Sequence, residues 1–188
     1  MQASLFTAVA LATLAALLAG AAASDLRRRR VANRWLAAGA VGALALHAGA
    51  MAAGQPALSG PHWWSPLPGA VLGLTLMLPL YLMRAMGAAD VKLMAVVGLF
   101  LGVPTVALAV IYTMLAGGLL TLASLREAGV ATRLVANLLG KPVTLTGANP
   151  EAAPAAVDTP LTRTAARLPY AVAIAMGTGA ALLLPRLA

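Results

Sequence analysis

Long runs of apolar residues without a single charge set the strongest constraint on the fold of this chain. Five such runs occupy residues 5–23, 35–53, 67–83, 93–125 and 170–184. Because 61% of the 188 residues are hydrophobic and the mean hydropathy is +0.89, a water-soluble domain of this size could not bury so much apolar surface. The sequence therefore predicts an all-α, polytopic integral membrane protein that lies in a lipid bilayer.

The run 93–125 is 33 residues long, more than one ordinary crossing of about 20 residues needs. The sequence Gly102-Val103-Pro104 interrupts it, which is typical of a helix break. We therefore expect two helices joined by a tight turn, which makes about six spans in a single membrane domain, 1–188. The predicted spans cover residues 4–23, 35–53, 67–84, 89–102, 104–125 and 169–186.

The positions of the basic residues give an independent estimate of topology. With six spans, twelve of the 13 Lys and Arg fall on one side of the membrane, and only Arg186 falls on the other. Positive charge collects in cytoplasmic loops. Residues 126–168 are therefore predicted to form a cytoplasmic loop, and both termini are predicted to lie outside. The opposite loop, 54–66, has no Lys or Arg but carries Trp63 and Trp64, which suit a membrane interface.

This pattern also decides two other questions about the charge and the first span. The net charge of +8 is assigned to topology and not to nucleic acid, because aromatic residues do not alternate with the basic ones. Residues 1–24 end in small residues, as a cleaved signal peptide does. They lack an early Lys or Arg, however, and an Arg cluster follows them, which favours a signal anchor.

Only five acidic residues occur in this apolar chain, and the chain has no Cys, which excludes disulfides and thiolate chemistry. Glu127, Glu151 and Asp158 fall in the predicted cytoplasmic loop, where water solvates them. Asp25 directly follows the first span and Asp90 lies in the first turn of the fourth, so both reach the cytoplasmic face. Carboxylates at such positions are functional candidates.

Each of the two aspartates also has a purely structural explanation. Asp25 can pair with the arginines at 27–30, and Asp90 can cap its helix or match the helix dipole. Together, however, two carboxylates can share one proton, so that one takes a proton from water while the other donates to a carbonyl. This chemistry needs no metal or cofactor, and none is predicted.

The segments around the two aspartates resemble known motifs. Asp25 is followed by four arginines and by Val31-Ala32-Asn33, and Asp90 stands in the stretch 86–102, MGAADVKLMAVVGLFLG. A third likeness is the start of the last span, at 168–171, continuing to Gly177. These features resemble the GxGD aspartyl peptidases of membranes, specifically the type IV prepilin peptidases and their compact branch that serves tight-adherence (Flp) pili.

The resemblance implies an aspartic endopeptidase of the bacterial inner membrane with its active site facing the cytoplasm. Its substrates are prepilins or pseudopilins, with a basic leader before an apolar helix, and its partners include pilus or secretion machinery. Longer members carry a zinc-binding Cys tetrad with their methyltransferase activity, which this Cys-free chain lacks. The implied catalytic residues are Asp25 and Asp90, and the implied active-site motif comprises Gly87, Ala88, Ala89 and Lys92.

Two departures from the family pattern leave an alternative open. Ala89 stands where the motif has its second Gly, and Ala32 stands where the first motif has Pro. A non-catalytic pilus or secretion assembly paralogue is therefore an alternative. A small proton-coupled transporter is another, although it would place its acids near the bilayer midplane.

Two remaining features have structural interpretations. The pairs Gly69-x-x-x-Gly73 and Gly98-x-x-x-Gly102 would let spans pack closely, and an ordinary helix contact is the preferred interpretation for Gly69 and Gly73. His47 and His62 fall away from the predicted catalytic face, so neither is predicted as a base or a metal ligand.

Overall fold

The structure, a computed structural model, describes residues 5–28, 31–83, 86–125 and 170–184. The predicted loop 126–168 and both chain ends lie outside these residues. Alanine and leucine, which favour helix, dominate the described segments, and these segments contain no strand. The predicted all-α membrane architecture is therefore confirmed for this part of the chain. Its helices are α1 (Leu5–Arg28), α2 (Asn33–Ala52), α3 (Pro66–Leu82), α4 (Ala88–Leu125) and α5 (Tyr170–Leu183).

Helix length alone does not support six crossings. Of the described helices, α1, α2 and α4 are long and apolar enough to cross a membrane. The apolar helices α3 and α5 have 17 and 14 residues, short of the roughly 20 residues that span a bilayer. Three candidate spans are therefore shown, where the sequence predicted about six.

The backbone of α4 breaks at Gly102, which has φ 70° and ψ −178°. A straight helix would separate residues 94 and 106 by about 18 Å. Yet a Cβ atom built on Gly73 of α3 would lie 3.2 Å from the carbonyl carbon of Met94 and 3.3 Å from Cγ2 of Val106. The two halves of α4 therefore both return to α3, and the break predicted at 102–104 is confirmed. Whether each half crosses the bilayer stays a prediction.

Backbone contacts between glycines hold α3 against α4. A Cβ atom on Gly69 would collide with the carbonyl oxygen of Gly98, and one on Gly98 would collide with the carbonyl oxygen of Gly69. Four residues along α3, a Cβ atom on Gly73 would lie 2.7 Å from the carbonyl oxygen of Met94. The two predicted glycine pairs thus pack against each other, since only residues without a side chain let helix backbones approach so closely.

The helices bury one apolar face and expose another. Side chains that are at most 1% exposed include Leu14 of α1, Leu93 and Val97 of α4 and Ile174 of α5, and α1 packs against both α2 and α5. Large apolar side chains also cover the outside, among them Val71, which is 62% exposed. Such a surface suits lipid and not water.

The chain divides into two compact units. The first comprises Met1–Gly118 and Pro169–Ala188, and the second is Leu119–Leu168, of which the structure describes the last turns of α4 at 119–125. All contacts discussed below lie within the first unit. The predicted single domain, 1–188, stays a prediction.

Candidate active site

Asp25 lies in the last turn of α1. The helix continues to Arg28, so α1 extends beyond the predicted span 4–23 and includes the aspartate. The reason is that no helix-breaking residue follows Ala23, so the helix continues where its sequence becomes polar. The partly buried Asp25 carboxylate accepts a hydrogen bond from the backbone N–H of Ala171, with 3.2 Å between Oδ2 and N.

Asp90 is the third residue of α4 and is also partly buried. Its Oδ2 accepts a hydrogen bond from the backbone N–H of Gly87 at 3.2 Å, and its own N–H donates to the Gly87 carbonyl at 3.1 Å. This is the geometry of an acid that caps the start of its own helix. The capping role that the sequence left open for Asp90 is therefore present, and it fixes the orientation of the carboxylate.

The first two residues of α5 connect the two aspartates. Ala171 holds Asp25 through its N–H, and the partly buried phenol of the preceding residue, Tyr170, lies within electrostatic range of the Asp90 carboxylate. The ring of Tyr170 packs over Gly117 of α4, where a Cβ atom would lie 3.4 Å from ring carbon Cε1. Residues far apart in sequence, on α1, α4 and α5, thus lie near the start of α5.

Sequence reasoning assigned no role to Tyr170 or Ala171. They belong to the segment 168–171 that was noted as similar to the family, so the signal was present. The role of Ala171 could not be predicted from that signal, because a backbone N–H donor does not depend on the type of residue that carries it. The structure thus adds these two residues to the candidate site.

The residues of the predicted active-site motif have different environments. Gly87 and Ala88 are exposed, and Ala89 is partly buried against the core. Positive φ occurs at Gly54, Gly60 and Gly102 among the described glycines, and Ala89 lies inside a helix. No described position of the motif therefore needs the left-handed backbone that favours glycine.

Lys92 follows Asp90 by two residues, which turns it about 200° around the helix axis. Its ammonium group donates to Oδ1 of Asn33, at 3.3 Å. This bond joins the two motif segments on the side of α4 away from the Asp90 carboxylate. Lys92 therefore connects α4 to α2.

Both histidines lie in the region where the loop 53–65 meets the helices. His47 is buried, and its ring nitrogens contact the carbonyl oxygen of His62 at 3.0 Å and the Ser59 hydroxyl at 2.7 Å. The His62 ring stacks on Trp64, with 4.9 Å between ring centroids. Both side chains thus have structural partners. Across the described part of the chain, no group of three His, Cys, Asp or Glu residues lies together as metal ligands.

Comparison with known proteins identifies the family. The model of the type IV leader peptidase family matches residues 12–122, a stretch that contains Asp25, Asp90 and both motif segments. Comparisons with curated proteins and with solved structures gave no significant match. Because the matched stretch covers more than half of the chain and includes both candidate aspartates, the chain belongs to the type IV leader peptidase family of membrane peptidases.

Proposed function

We propose that the protein is an aspartic endopeptidase that removes the leader from Flp-like prepilins or pseudopilins at the cytoplasmic membrane face. The family supports a peptidase acting on type IV leaders. The observation that carries the assignment of residues is the bond from Ala171 to Asp25, beside a Tyr170 that lies within electrostatic range of Asp90. Two carboxylates at one end of a helical bundle are the groups that aspartic proteolysis requires.

In the proposed reaction, the ionised aspartate takes a proton from a water molecule while the water oxygen attacks the scissile carbonyl carbon. The other aspartate, which is protonated, donates its proton to the carbonyl oxygen. The peptide C–N bond then breaks, the amine leaves with the proton that the first aspartate took, and a hydroxyl of the intermediate returns a proton to the second aspartate as the new carboxyl group forms. Either aspartate can fill either role, and this chemistry involves no metal and no covalent intermediate.

The surroundings of the aspartates suit an extended substrate. Gly87 and Ala88 are exposed beside Asp90, so a peptide backbone can approach without meeting large side chains. A peptide bond inside a helix has its carbonyl hydrogen-bonded and shielded, so cleavage needs an extended segment between the basic leader and the apolar helix of the substrate. No methyltransferase activity is proposed, because the chain lacks the Cys tetrad that accompanies it in longer family members.

We further propose six crossings in the bacterial inner membrane, with both termini outside. The return of both halves of α4 to α3 supports this count, since a chain that reverses at Gly102 enters and leaves on the same side. The charge distribution supports the same orientation, with twelve basic residues in the cytoplasm. The short helices α3 and α5 then cross a locally thinned bilayer.

The test is co-expression of a prepilin with wild type, Asp25→Asn and Asp90→Asn, with leader removal followed by mass spectrometry. Each substitution keeps the size of the side chain but removes proton transfer, and we expect at least a hundredfold slower cleavage. Asp158→Asn, in the predicted cytoplasmic loop, is the matched control and should cleave normally. Persistent cleavage by both active-site variants would overturn the aspartic mechanism. A wild type that cleaves none of several prepilins would favour the non-catalytic paralogue.

A further inference from the structure

An open groove of about 370 Å³ lies between α2, α3 and α4, and it belongs neither to the aspartates nor to the histidine contacts. Its floor is formed by the buried side chains of Leu36, Val96 and Leu99. Small residues line its walls, with Ala37 and Ala40 on α2, Ala70 on α3 and Ala95 on α4. The lining is almost entirely apolar, and a site with so few polar groups does not hold ordered water. In a membrane such a groove takes an apolar occupant.

The two polar residues of the groove lie together at one end. Asn33 and Lys92 line this end and are joined by the hydrogen bond described above. Lys92 is exposed, and an ammonium group has three N–H donors, so two remain beyond the one given to Asn33. Among the described residues, no carboxylate forms an ion pair with Lys92. The first residue of α2 and the first turns of α4 also lie at this end, and helix N-termini favour an anion.

The orientation of the groove argues against the peptidase substrate as its occupant. Lys92, Ala95, Val96 and Leu99 lie on one face of α4, and Asp90 is about 200° around the helix from Lys92. A substrate helix in the groove would therefore have α4 between itself and the Asp90 carboxylate. The occupant has to combine an apolar chain about as long as the groove with an anion at the end marked by Lys92.

We propose that this groove binds one anionic phospholipid, with an acyl chain on the floor of Leu36, Val96 and Leu99 and the phosphate at Lys92. A phospholipid matches this groove, because its negatively charged headgroup suits the end at Lys92 and its acyl chain suits the apolar lining. Basic sites between helices on the cytoplasmic side of membrane proteins bind such headgroups. This binding does not depend on the peptidase activity, so it stands or falls separately from the proposed function.

Native mass spectrometry of the full-length protein tests the proposal. The protein is exchanged into detergent containing phosphatidylglycerol or phosphatidylcholine with the same acyl chains, and the retained lipid is counted. Wild type should retain one phosphatidylglycerol in preference to phosphatidylcholine. Lys92→Gln should reduce that preference about fivefold, the effect of one lysine near a membrane surface, and Lys92→Arg should keep it. Arg34→Gln is the matched control, since Arg34 is exposed one residue from Asn33 but does not line the groove.

A second pair of variants tests the apolar part. Ala95→Phe fills the groove and should lower retention of both lipids. Ala37→Phe also fills the groove and should lower retention in the same way, and misfolding is less of a concern there because Ala37 lies at the exposed rim. Equal lipid preference in wild type and Lys92→Gln would overturn the proposal, and so would an equal loss in Arg34→Gln. Inorganic phosphate at the same concentration should not displace the lipid. Displacement by an apolar helical peptide from a prepilin would instead assign the groove to the substrate.

Discussion

At the scale of single residues, the departure of Ala89 from the family pattern is compatible with the local structure. A glycine is required where φ is positive or where a neighbour occupies the space of a Cβ atom. Neither applies at Ala89, which lies in the first turn of α4 and packs partly against the core. The position that is sensitive to a methyl group is Gly87, because a Cβ atom there would lie 3.3 Å from Oδ2 of Asp90.

We therefore expect Gly87→Ala to slow leader cleavage more than Ala89→Gly does. The added methyl group must push the Asp90 carboxylate by a few tenths of an ångström, which disturbs its orientation. Ala89→Gly only costs helix stability, about 0.5–1 kcal/mol, and should leave cleavage close to that of wild type. Cleavage rates and melting temperatures of the two variants check this. Faster cleavage by Ala89→Gly would instead mean that Ala89 limits activity.

The buried ring of His47 stabilises the fold through two hydrogen bonds. Because a carbonyl oxygen only accepts, Nε2 donates to His62 and Nδ1 accepts from the Ser59 hydroxyl. We expect His47→Phe to lower the free energy of unfolding by about 1–3 kcal/mol, since it removes both hydrogen bonds of this buried side chain. Ser59→Ala should cost less, because it removes one of the two bonds. The pH profile of cleavage should match that of wild type in both variants, and a shifted profile would give His47 a catalytic role.

At the scale of helices, the position of α5 depends on one close approach. A Cβ atom on Gly177 would collide with the backbone and hydroxyl of Thr113 on α4, whereas a Cβ atom on Gly179 would meet nothing within 4 Å. The start of α5 carries the N–H that holds Asp25, two turns away from Gly177 along the same helix. Packing at Gly177 and geometry at Asp25 are therefore linked through a rigid element.

Gly177→Ala should accordingly lower both the melting temperature and the cleavage rate. The new methyl group forces α5 away from α4 and moves the Ala171 N–H from Asp25. Gly179→Ala is the matched control in the same helix, and it should be neutral or slightly stabilising, because alanine favours helix over glycine. Both quantities are measured on the purified variants in the same detergent. If Gly177→Ala kept wild-type cleavage, the link between α5 packing and the candidate site would be contradicted.

The helices could be predicted from sequence more readily than their contacts. Apolar runs predicted the helices, and Gly102-Val103-Pro104 predicted the break in α4, because both are local properties of the chain. The pairing of Gly69 with Gly98 was only suggested by the two glycine motifs. The bond from Ala171 to Asp25 was out of reach, since it joins residues 146 positions apart through a backbone group that every residue except proline carries.

At the scale of the whole molecule, topology decides whether the site can work as proposed. Helix length yields three candidate spans, whereas charge distribution and the reversal at Gly102 support six. The six-span count adds the short helices α3 and α5 and divides α4 at Gly102. If α4 crossed once, Gly102 would lie within the bilayer, but a Cβ atom on Gly102 would collide with the carbonyl oxygen of Ser59 in the loop 53–65. That contact brings the turn to the level of a loop predicted to lie outside the membrane.

The absence of native Cys makes this testable with single introduced thiols. Val103→Cys, which replaces an exposed side chain next to the turn, should react with a membrane-impermeant maleimide in intact cells, as should Gln55→Cys in the loop 53–65. Pro154→Cys should react only after lysis, because the charge distribution assigns 126–168 to the cytoplasm. If Val103→Cys stays unreactive while Gln55→Cys reacts, α4 crosses the membrane only once. That result would also place the start of α5 on the side opposite Asp25 and Asp90, and the proposed six crossings and the site shared by α1, α4 and α5 would have to be abandoned.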